Sequence, residues 1–327
     1  MPTPLAALEA EFGPDRLAAD PEAMAPYLTD WFRLERGAAL AVLRPRETAE
    51  VQAMLRACAR LGLGVVPQGG NTGLVNGALA GDPAGHVVLS LGRMNRIRSI
   101  AVDDYSCVAE AGCVLQAVKE AVAARGLFLP VSIGAQGTSQ IGGIVSTNAG
   151  GVNVLRYGMT REQVLGLEVV LADGALWDGL TTLRKNNLGP DLKQVFIGAE
   201  GTFGVVTAAA LRLVPRPDAR AAALLGADDL DALMRTFHLA RRACSDLLSA
   251  FEFMTPRAMA IARAAQQGAP RLEAECGAYA LIELAAPGPV DLDALLDGFL
   301  QAAMGAGLVR DGLVAASETQ AARIWAL

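Results

Sequence analysis

The sequence predicts an α+β fold divided into two domains, and three observations support this prediction. The chain has 327 residues of which 52% are hydrophobic, which is enough for two packed cores. Segments with apolar residues at helical spacing alternate with shorter segments of strand type. Pro215 and Pro217 interrupt the chain, and the order of helices and strands differs beyond them. We therefore expect a domain boundary near residue 217.

In the first domain, the clearest helix signal begins at Thr48. Apolar residues recur at helical spacing up to Leu61, so we predict a helix that Thr48 caps and Gly62 ends. A second helix is predicted at 114–126. Strands are predicted at 64–67, 86–91, within 96–112, at 164–179 as two strands joined by a turn at Asp173 and Gly174, and at 205–215.

The second domain shows a different alternation of the two patterns. Strand-like segments are expected at 222–226, 249–254, 278–284 and 307–314, with helices at 229–243, 255–267 and 292–305. Such mixing of strands with helices is typical of an α+β domain.

Charge and composition exclude several classes of protein. The net charge is −6 and the Lys and Arg residues are scattered, so no nucleic-acid-binding surface is expected. No apolar run is long enough for a membrane span, and the first residues lack the features of a targeting peptide, so we expect a cytoplasmic protein. The five Cys residues have no CxxC spacing, which indicates reduced core residues.

Several well-known motifs are missing their essential residues. Pro67 stands where a dinucleotide-binding fingerprint needs its third glycine, and no Gly-Lys pair exists for a Walker A loop. Ile141 replaces the last glycine of a nucleophile elbow. The two histidines, His86 and His238, stand alone, so no metal site is predicted in this chain.

Three glycine-rich segments remain, which we name loop 1 (67–77), loop 2 (134–151) and loop 3 (197–206). In each of them glycines alternate with Thr, Ser, Asn or Gln, so that backbone N–H groups and short polar side chains can surround an anion. One such cluster alone is typical of tight turns. Three such clusters in one domain favour a single elongated ligand, such as one that contains a diphosphate. Backbone amides could hold this diphosphate without a lysine side chain.

The ordered motifs resemble a known flavoprotein family. "VPQGGNTGLV", "TNAGG", "RYG", "LRKNN", "DLKQVFIGAEGT", "LSAFEFM" and "WAL" occur in the order found in the vanillyl-alcohol oxidase and p-cresol methylhydroxylase superfamily. Within it the chain is most similar to the D-2-hydroxyglutarate dehydrogenase, D-lactate dehydrogenase and glycolate oxidase branch. The resemblance implies a two-subdomain FAD-binding domain at 38–217, after an N-terminal segment at 1–37. A partial ferredoxin-like α+β substrate domain would follow at 218–327.

The resemblance also implies which residues bind FAD. They are Pro67, Gln68, Gly69, Gly70, Asn71, Thr72, Gly73 and Leu74 in loop 1, Gly134, Ala135, Gly137, Thr138, Ser139, Gly142, Gly143, Ser146, Thr147 and Asn148 in loop 2, and Glu200, Gly201, Thr202, Gly204 and Val205 in loop 3. From the residues themselves, the apolar Ile141, Ile144 and Val145 are expected to flank a ring. No His or Cys stands beside these loops, so non-covalent FAD is expected.

The activity implied by the resemblance is FAD-dependent oxidation of a D-2-hydroxy acid, with D-2-hydroxyglutarate as the best guess. D-lactate or glycolate oxidation, or a flavin-binding electron-relay or assembly subunit, are the alternatives. The family motif breaks off at Leu327, so we expect a C-terminally truncated form that lacks the substrate arginine and a divalent metal such as zinc. No catalytic residue is therefore assigned, the electron acceptor is open, and a homodimer is the assembly considered.

Overall fold

The structure is a computed structural model that describes residues 2–327, and these residues form two compact units. The first unit contains the residues up to Ala149 together with Met159–Val214. The second contains Gly150–Gly158 together with Pro215–Leu327. The boundary between the units therefore lies after Val214, close to residue 217, where a boundary was expected. The sequence pattern does not indicate that Gly150–Gly158 belongs to the second unit.

The first part of the chain supplies the two main sheets of the first unit. In chain order the elements are α1 (Pro4–Arg16), β1 (Leu17–Ala18), α2 (Pro21–Leu28), β2 (Ala38–Leu43), α3 (Thr48–Leu61), β3 (Gly64–Gln68), β4 (Gly81–Ser90), β5 (Ile97–Ala101), β6 (Ser106–Glu110), α4 (Leu115–Ala123), β7 (Leu127–Phe128), α5 (Ile141–Ser146), α6 (Val154–Tyr157, in the second unit), α7 (Thr160–Gln163), β8 (Val164–Val170), β9 (Leu176–Gly179), α8 (Lys193–Phe196), β10 (Val205–Arg212) and β11 (Val214–Pro215).

The first sheet has the strand order β1-β2-β4-β3, in which β2, β4 and β3 run parallel. Helix α3 packs against it through Val51 and Met54, which are fully buried in one core with Val87 and Leu89. Gly62 ends α3 in the left-handed conformation, with φ 68°, as predicted.

The predicted cap of α3 is wrong. Residue Glu47 precedes the helix without a capping side-chain bond, while the Thr48 hydroxyl donates to Glu168 Oε1 at 2.7 Å. Thr48 therefore joins the helix to the second sheet instead of satisfying its first amides. Leaving a buried carboxylate without hydrogen-bond donors costs more free energy than leaving one exposed amide without an acceptor in the protein.

The second sheet is antiparallel, with the order β5-β6-β10-β8-β9. The predicted turn between β8 and β9 is present. Gly174 has φ 78°, and the Ala175 amide donates to the Asp173 carboxylate at 2.8 Å. The sheet packs on α4 and α5, so that loop 2 lies across one end of its strands.

Several elements have no counterpart in the sequence prediction, and two groups of them lie in or next to the glycine-rich loops. The segment 1–37 contains α1, β1 and α2, and β1 pairs with β2, so this segment is part of the first unit. Helix α5 lies inside loop 2, where Gly142 and Gly143 conceal the helical spacing of the buried Ile141, Ile144 and Val145.

The second unit is built on an antiparallel sheet of order β13-β14-β12-β15. Its elements are β12 (Ala219–Ala227), α9 (Leu230–Cys244), a short 3₁₀ helix (Ser245–Leu247), β13 (Leu248–Met254), α10 (Pro256–Ala265), β14 (Ala278–Ala286), α11 (Leu292–Gly305), β15 (Asp311–Val314) and α12 (Glu318–Trp325). The strands with α9 and α11 follow the βαββαβ order of a ferredoxin-like domain. The α+β class is confirmed. Within residues 2–327 no helix combines the length and the apolar character needed to cross a bilayer.

Candidate functional site

The three glycine-rich loops meet around one cavity of about 650 Å³ in the first unit. A Cβ atom at Gly70 would lie 2.1 Å from the Thr138 carbonyl oxygen, so loops 1 and 2 touch there through their backbones. A Cβ at Gly201 would lie 3.0 Å from Pro67 Cγ, which brings loop 3 against loop 1. The Glu200 amide donates to the Ser146 carbonyl at 2.8 Å and ties loop 3 to loop 2. The loops therefore converge, as the sequence predicts.

Backbone amides without an acceptor are the main polar feature of this cavity. In the described part of the chain, the amides from Gly70 to Val75 donate to no protein acceptor, and neither do those of Gly134, Gly143 and Gly201. Each of these residues lines the cavity. Unpaired amides on adjoining loops form an anion-binding concavity, because each N–H dipole directs its positive end toward the ligand.

The charge of the lining excludes an ordinary ion pair as the means of holding an anion. Glu200 is the one charged side chain among the described residues that line the cavity. A diphosphate bound here would thus depend on backbone amides and hydroxyl groups. Charge-assisted hydrogen bonds of this type contribute about 1.5–3 kcal/mol each, so a few of them are sufficient for tight binding.

Polar side chains of loop 1 hold its backbone in place. The Asn71 amide nitrogen donates to the Thr29 carbonyl at 2.7 Å, and Asn71 itself has φ 52°. The buried Gln68 side chain donates to the carbonyls of Tyr27 and Ala78, at 2.8 and 2.9 Å. The N-terminal segment therefore anchors loop 1. Gln68 and Asn71 line the cavity, but their amide nitrogens are already used by the protein.

Two hydroxyl groups form a second polar feature at the junction of loops 1 and 2. The Thr72 and Ser139 hydroxyls lie 3.1 Å apart, and the Ser139 hydroxyl donates to the Ala135 carbonyl at 2.9 Å. Since the Ser139 proton is used there, its oxygen accepts from Thr72 or from a ligand. The pair joins the two loops directly at the cavity wall.

Most of the predicted FAD-binding residues line this cavity. The four exceptions are Gly137, Thr138, Asn148 and Thr202. Thr138 contacts Gly70 through its carbonyl group, the Asn148 side chain accepts from the Arg161 amide at 2.9 Å, and the Thr202 amide closes a turn onto Ala199. These residues belong to the loops without lining the cavity. Of the three apolar residues expected to flank a ring, Ile144 lines the cavity, whereas Ile141 and Val145 lie in the core beneath it.

Sequence reasoning missed nine lining residues, which are Trp31, Val75, Gly77, Ala78, Leu91, Ile133, Gln140, Ala149 and Val206. Trp31 is 44% exposed, unusual for so large an apolar side chain, and lies on a turn that Asp30 stabilises by accepting from the Phe32 and Glu35 amides. The Gln140 Oε1 atom is buried without a hydrogen-bond partner. An unpaired buried acceptor is costly, so it marks a point where a ligand donor fits.

Two family models match the chain. The FAD binding domain matches residues 39–179, and the C-terminal domain of FAD linked oxidases matches residues 216–327. A D-2-hydroxyglutarate dehydrogenase of Bos taurus is 44% identical over 99% of this chain and 59% of that protein. One from Rattus norvegicus is 40% identical over 96% of this chain and 58% of that protein. The chain thus spans rather more than half the length of these relatives.

A solved structure shows the same fold. An alkyldihydroxyacetonephosphate synthase superposes with a TM-score of 0.80 over 98% of this chain and 62% of that chain, at 16% sequence identity. The match includes both the unit with the glycine-rich loops and the ferredoxin-like unit. Residues 39–179 therefore belong to the FAD binding domain family, and residues 216–327 belong to the family of C-terminal domains of FAD linked oxidases.

Proposed function

We propose that the cavity binds FAD non-covalently, with the diphosphate on the free amides of loops 1 and 2. The observation that supports this most is the convergence of acceptor-free amides in a cavity without a cationic side chain. The unpaired Gln140 Oε1 atom offers an acceptor for a donor group of the cofactor. Among the described lining residues no side chain is His, Cys or Tyr, so the wall offers none of the residues that usually form a covalent link.

The reaction we propose is oxidation of a D-2-hydroxy acid. The substrate we propose is D-2-hydroxyglutarate, which would be oxidised to 2-oxoglutarate. The names of the relatives support this substrate, and the part they share with this chain contains both units. When bound, FAD would supply the acceptor for the hydride of the substrate. The residues of this chain would hold and orient the cofactor, while apolar side chains such as Ile133, Ile144 and Val206 would exclude water from one wall.

Further parts of the proposal concern groups outside the cavity. We propose that a divalent metal such as zinc belongs to the part of the relatives beyond this chain. Residues 2–327 contain no group of three or more His, Cys, Asp or Glu placed to hold a metal ion. The cytoplasmic location and the homodimer stay predictions.

A substitution that fills the cavity tests the cofactor site. A Cβ at Gly143 meets nothing within 4 Å, so Gly143→Leu places a side chain in the cavity without disturbing the backbone. We expect FAD affinity to fall at least tenfold, measured by flavin absorbance after ultrafiltration or by titration calorimetry. Gly298→Leu, on the exposed side of α11 with equal space, is the matched control and should bind FAD as the unaltered protein does.

Two outcomes would contradict the proposal. Unchanged FAD affinity in Gly143→Leu would mean that the cofactor binds elsewhere. If the unaltered protein takes up no FAD, the proposal that it binds a flavin is wrong. The reaction is tested separately by joining this chain to the C-terminal part of a relative and adding D-2-hydroxyglutarate under anaerobic conditions. Bleaching of the flavin by the D isomer and not by the L isomer is expected; no bleaching by any D-2-hydroxy acid would refute the dehydrogenase activity while leaving FAD binding intact.

A further inference from the structure

The first unit contains a second cavity, of about 660 Å³, which shares no lining residue with the cavity proposed above to bind FAD, called the FAD cavity below. It lies at the end of β8 and β10 and is bounded by the long segment 179–194. This volume is within the range of about 300–1,000 Å³ that small-molecule sites occupy. The function proposed above makes no use of this cavity.

The charge of the second cavity differs from that of the whole chain. Three arginines and one lysine line it against two carboxylates, whereas the chain has a net charge of −6. Lys193 is neutralised by Asp191, with its Nζ atom 2.7 Å from a carboxylate oxygen. Arg161 donates to the Ile197 carbonyl at 2.7 Å and to Gln194. The two remaining cations are Arg184 and Arg212.

Arg184 and Arg212 line the same cavity, and neither forms an ion pair within the described residues. Arg184 donates to the carbonyl of Leu213, the residue after Arg212, at 3.3 Å, and its guanidinium lies 5.5 Å from the Tyr105 ring centre. Arg212 ends β10 with an exposed side chain that makes no hydrogen bond or ion pair within the described residues. Guanidinium groups that are not paired with a carboxylate keep N–H donors to which an oxyanion can bind.

Part of the wall of this cavity is apolar, and some of that apolar surface is exposed. The Trp177 indole lies across Gly179, where a Cβ would be 2.4 Å from the ring, and it packs on Phe196 with the ring centres 5.1 Å apart. Leu188 and Leu183 are 84% and 62% exposed. Exposed leucines beside a fixed indole leave apolar surface in water that a ligand can cover.

We propose that this second cavity binds a small amphipathic anion, with its oxyanion head on Arg184 and Arg212 and its aliphatic portion against Trp177 and Leu188. A carboxylate and a phosphate monoester both provide such a head, and guanidinium forks bind either one. The site is independent of the FAD cavity and of the activity proposed for it.

The test uses the FAD-loaded protein and two probes, octanoate and octyl phosphate, below their micelle concentrations. We expect at least one probe to bind saturably in titration calorimetry and to change the tryptophan fluorescence, and the fluorescence change to disappear in Trp177→Phe. The probe that binds more tightly identifies the head group. Acetate and inorganic phosphate, which lack the aliphatic chain, should bind at least tenfold more weakly.

Arginine variants decide where the head group binds. Arg212→Gln and Arg184→Gln should each weaken binding at least fivefold at unchanged FAD content, whereas Arg125→Gln, an exposed arginine outside both cavities, should not. Equal affinity in all three variants, a fluorescence change that persists in Trp177→Phe, or the lack of saturable binding by both probes would overturn the proposal. Equal affinity for acetate and octanoate would overturn the apolar part of it.

Discussion

Gly70 and Gly73 show how differently two glycines of one loop are used. A Cβ at Gly70 would lie 2.1 Å from the Thr138 carbonyl oxygen, whereas a Cβ at Gly73 meets nothing within 4 Å. Gly70 thus permits loop 1 to touch loop 2, and Gly73 faces open space in the cavity. The sequence pattern marks both as ligand-binding glycines and cannot separate them, because the difference depends on a residue far away in the chain.

The expected consequence concerns the protein without cofactor. Gly70→Ala should lower the free energy of unfolding by about 1–3 kcal/mol, the usual cost of forcing an atom into a filled space. Gly73→Ala should leave it unchanged within about 0.5 kcal/mol. Urea denaturation of both apo variants measures this. A Gly70→Ala protein as stable as the parent would mean that the loops do not meet at Thr138.

Glu168 and Glu110 are acidic residues with donors on several sides. Burial alone raises the pKa of Glu168, but hydrogen bonds from Arg98, Thr207 and Thr48 outweigh it and hold that pKa below its ordinary value. The pKa of Glu110 is lowered in the same way, against its burial, by Arg96. The folded protein therefore favours the ionised carboxylates more than the unfolded chain does.

The sign of the pH dependence follows from these lowered pKa values. The contribution to stability is complete above the unfolded pKa of about 4.3 and is lost as the pH falls through the lower folded pKa. We expect the free energy of unfolding to decrease below about pH 4.5, and the decrease to be shallower in Glu168→Gln. Urea titrations between pH 3 and pH 7 measure both slopes. Identical slopes in the parent and the variant would contradict the assignment.

At the scale of elements, the sequence predicts those with strong periodicity and a clear end signal. Helix α3 with Gly62, and the turn between β8 and β9 at Asp173 and Gly174, are confirmed. Helix α5 was missed because glycines occupy two of its six positions, and its stability comes from the burial of Ile144 and Val145 against distant strands. Tertiary packing overrides local propensity there, which no local pattern can show.

The N-terminal segment was missed for a different reason. Helices α1 and α2 each contain an internal proline, Pro14 and Pro26, which lowers their helical signal. Trp31 follows α2 on a turn and lines the cavity formed by the three glycine-rich loops. A tryptophan next to a turn-forming aspartate was the one signal available, and it does not specify a ligand.

Helix α11 provides a test of local stabilisation in the second unit. The Asp291 carboxylate accepts from the Ala294 amide at 2.9 Å and caps this helix. Asp291→Ala should lower the free energy of unfolding by about 1 kcal/mol. Asp297→Ala, an exposed site within the same helix, is the control and should cost less. Equal losses in thermal or urea denaturation would show that charge, and not the cap, is responsible.

At the scale of the whole molecule, five thiols are distributed over both units and all are buried and free. Burial raises the pKa of Cys58, Cys113 and Cys244 to about 11 and that of Cys107 to about 12. For Cys276 burial also raises the pKa. Since the thiolate is the reactive form, these residues should be unreactive in the folded protein.

Thiol titration therefore reports global unfolding. With Ellman's reagent at pH 8, we expect no rapid reaction in native protein and five thiols per chain after denaturation in guanidinium chloride. A thiol that reacts within seconds in the native state would show that at least one of the buried positions opens. The reagent absorbance at each denaturant concentration should follow the loss of helical circular dichroism.

The site as a whole was predictable in composition but not in its boundaries. Glycines interleaved with small polar residues in three loops of one domain identify the loops whose free amides line the cavity. Gly137, Asn148 and Thr202 belong to the same composition and yet do not line the cavity. Trp31 and Leu91 line it although they lie outside all three loops, since only the fold brings their side chains to the wall.

The segment Gly150–Gly158 has a consequence for how the gene for this protein can be divided. It belongs to the second unit, where α6 packs on β13 and Arg156 donates to the Ala285 carbonyl, although its neighbours on both sides belong to the first. A single cut in the gene near codon 217 would leave Gly150–Gly158 joined to the first unit and separated from the second unit, to which it belongs. Recombination that exchanges the second unit between homologues must therefore transfer two separate stretches of coding sequence together.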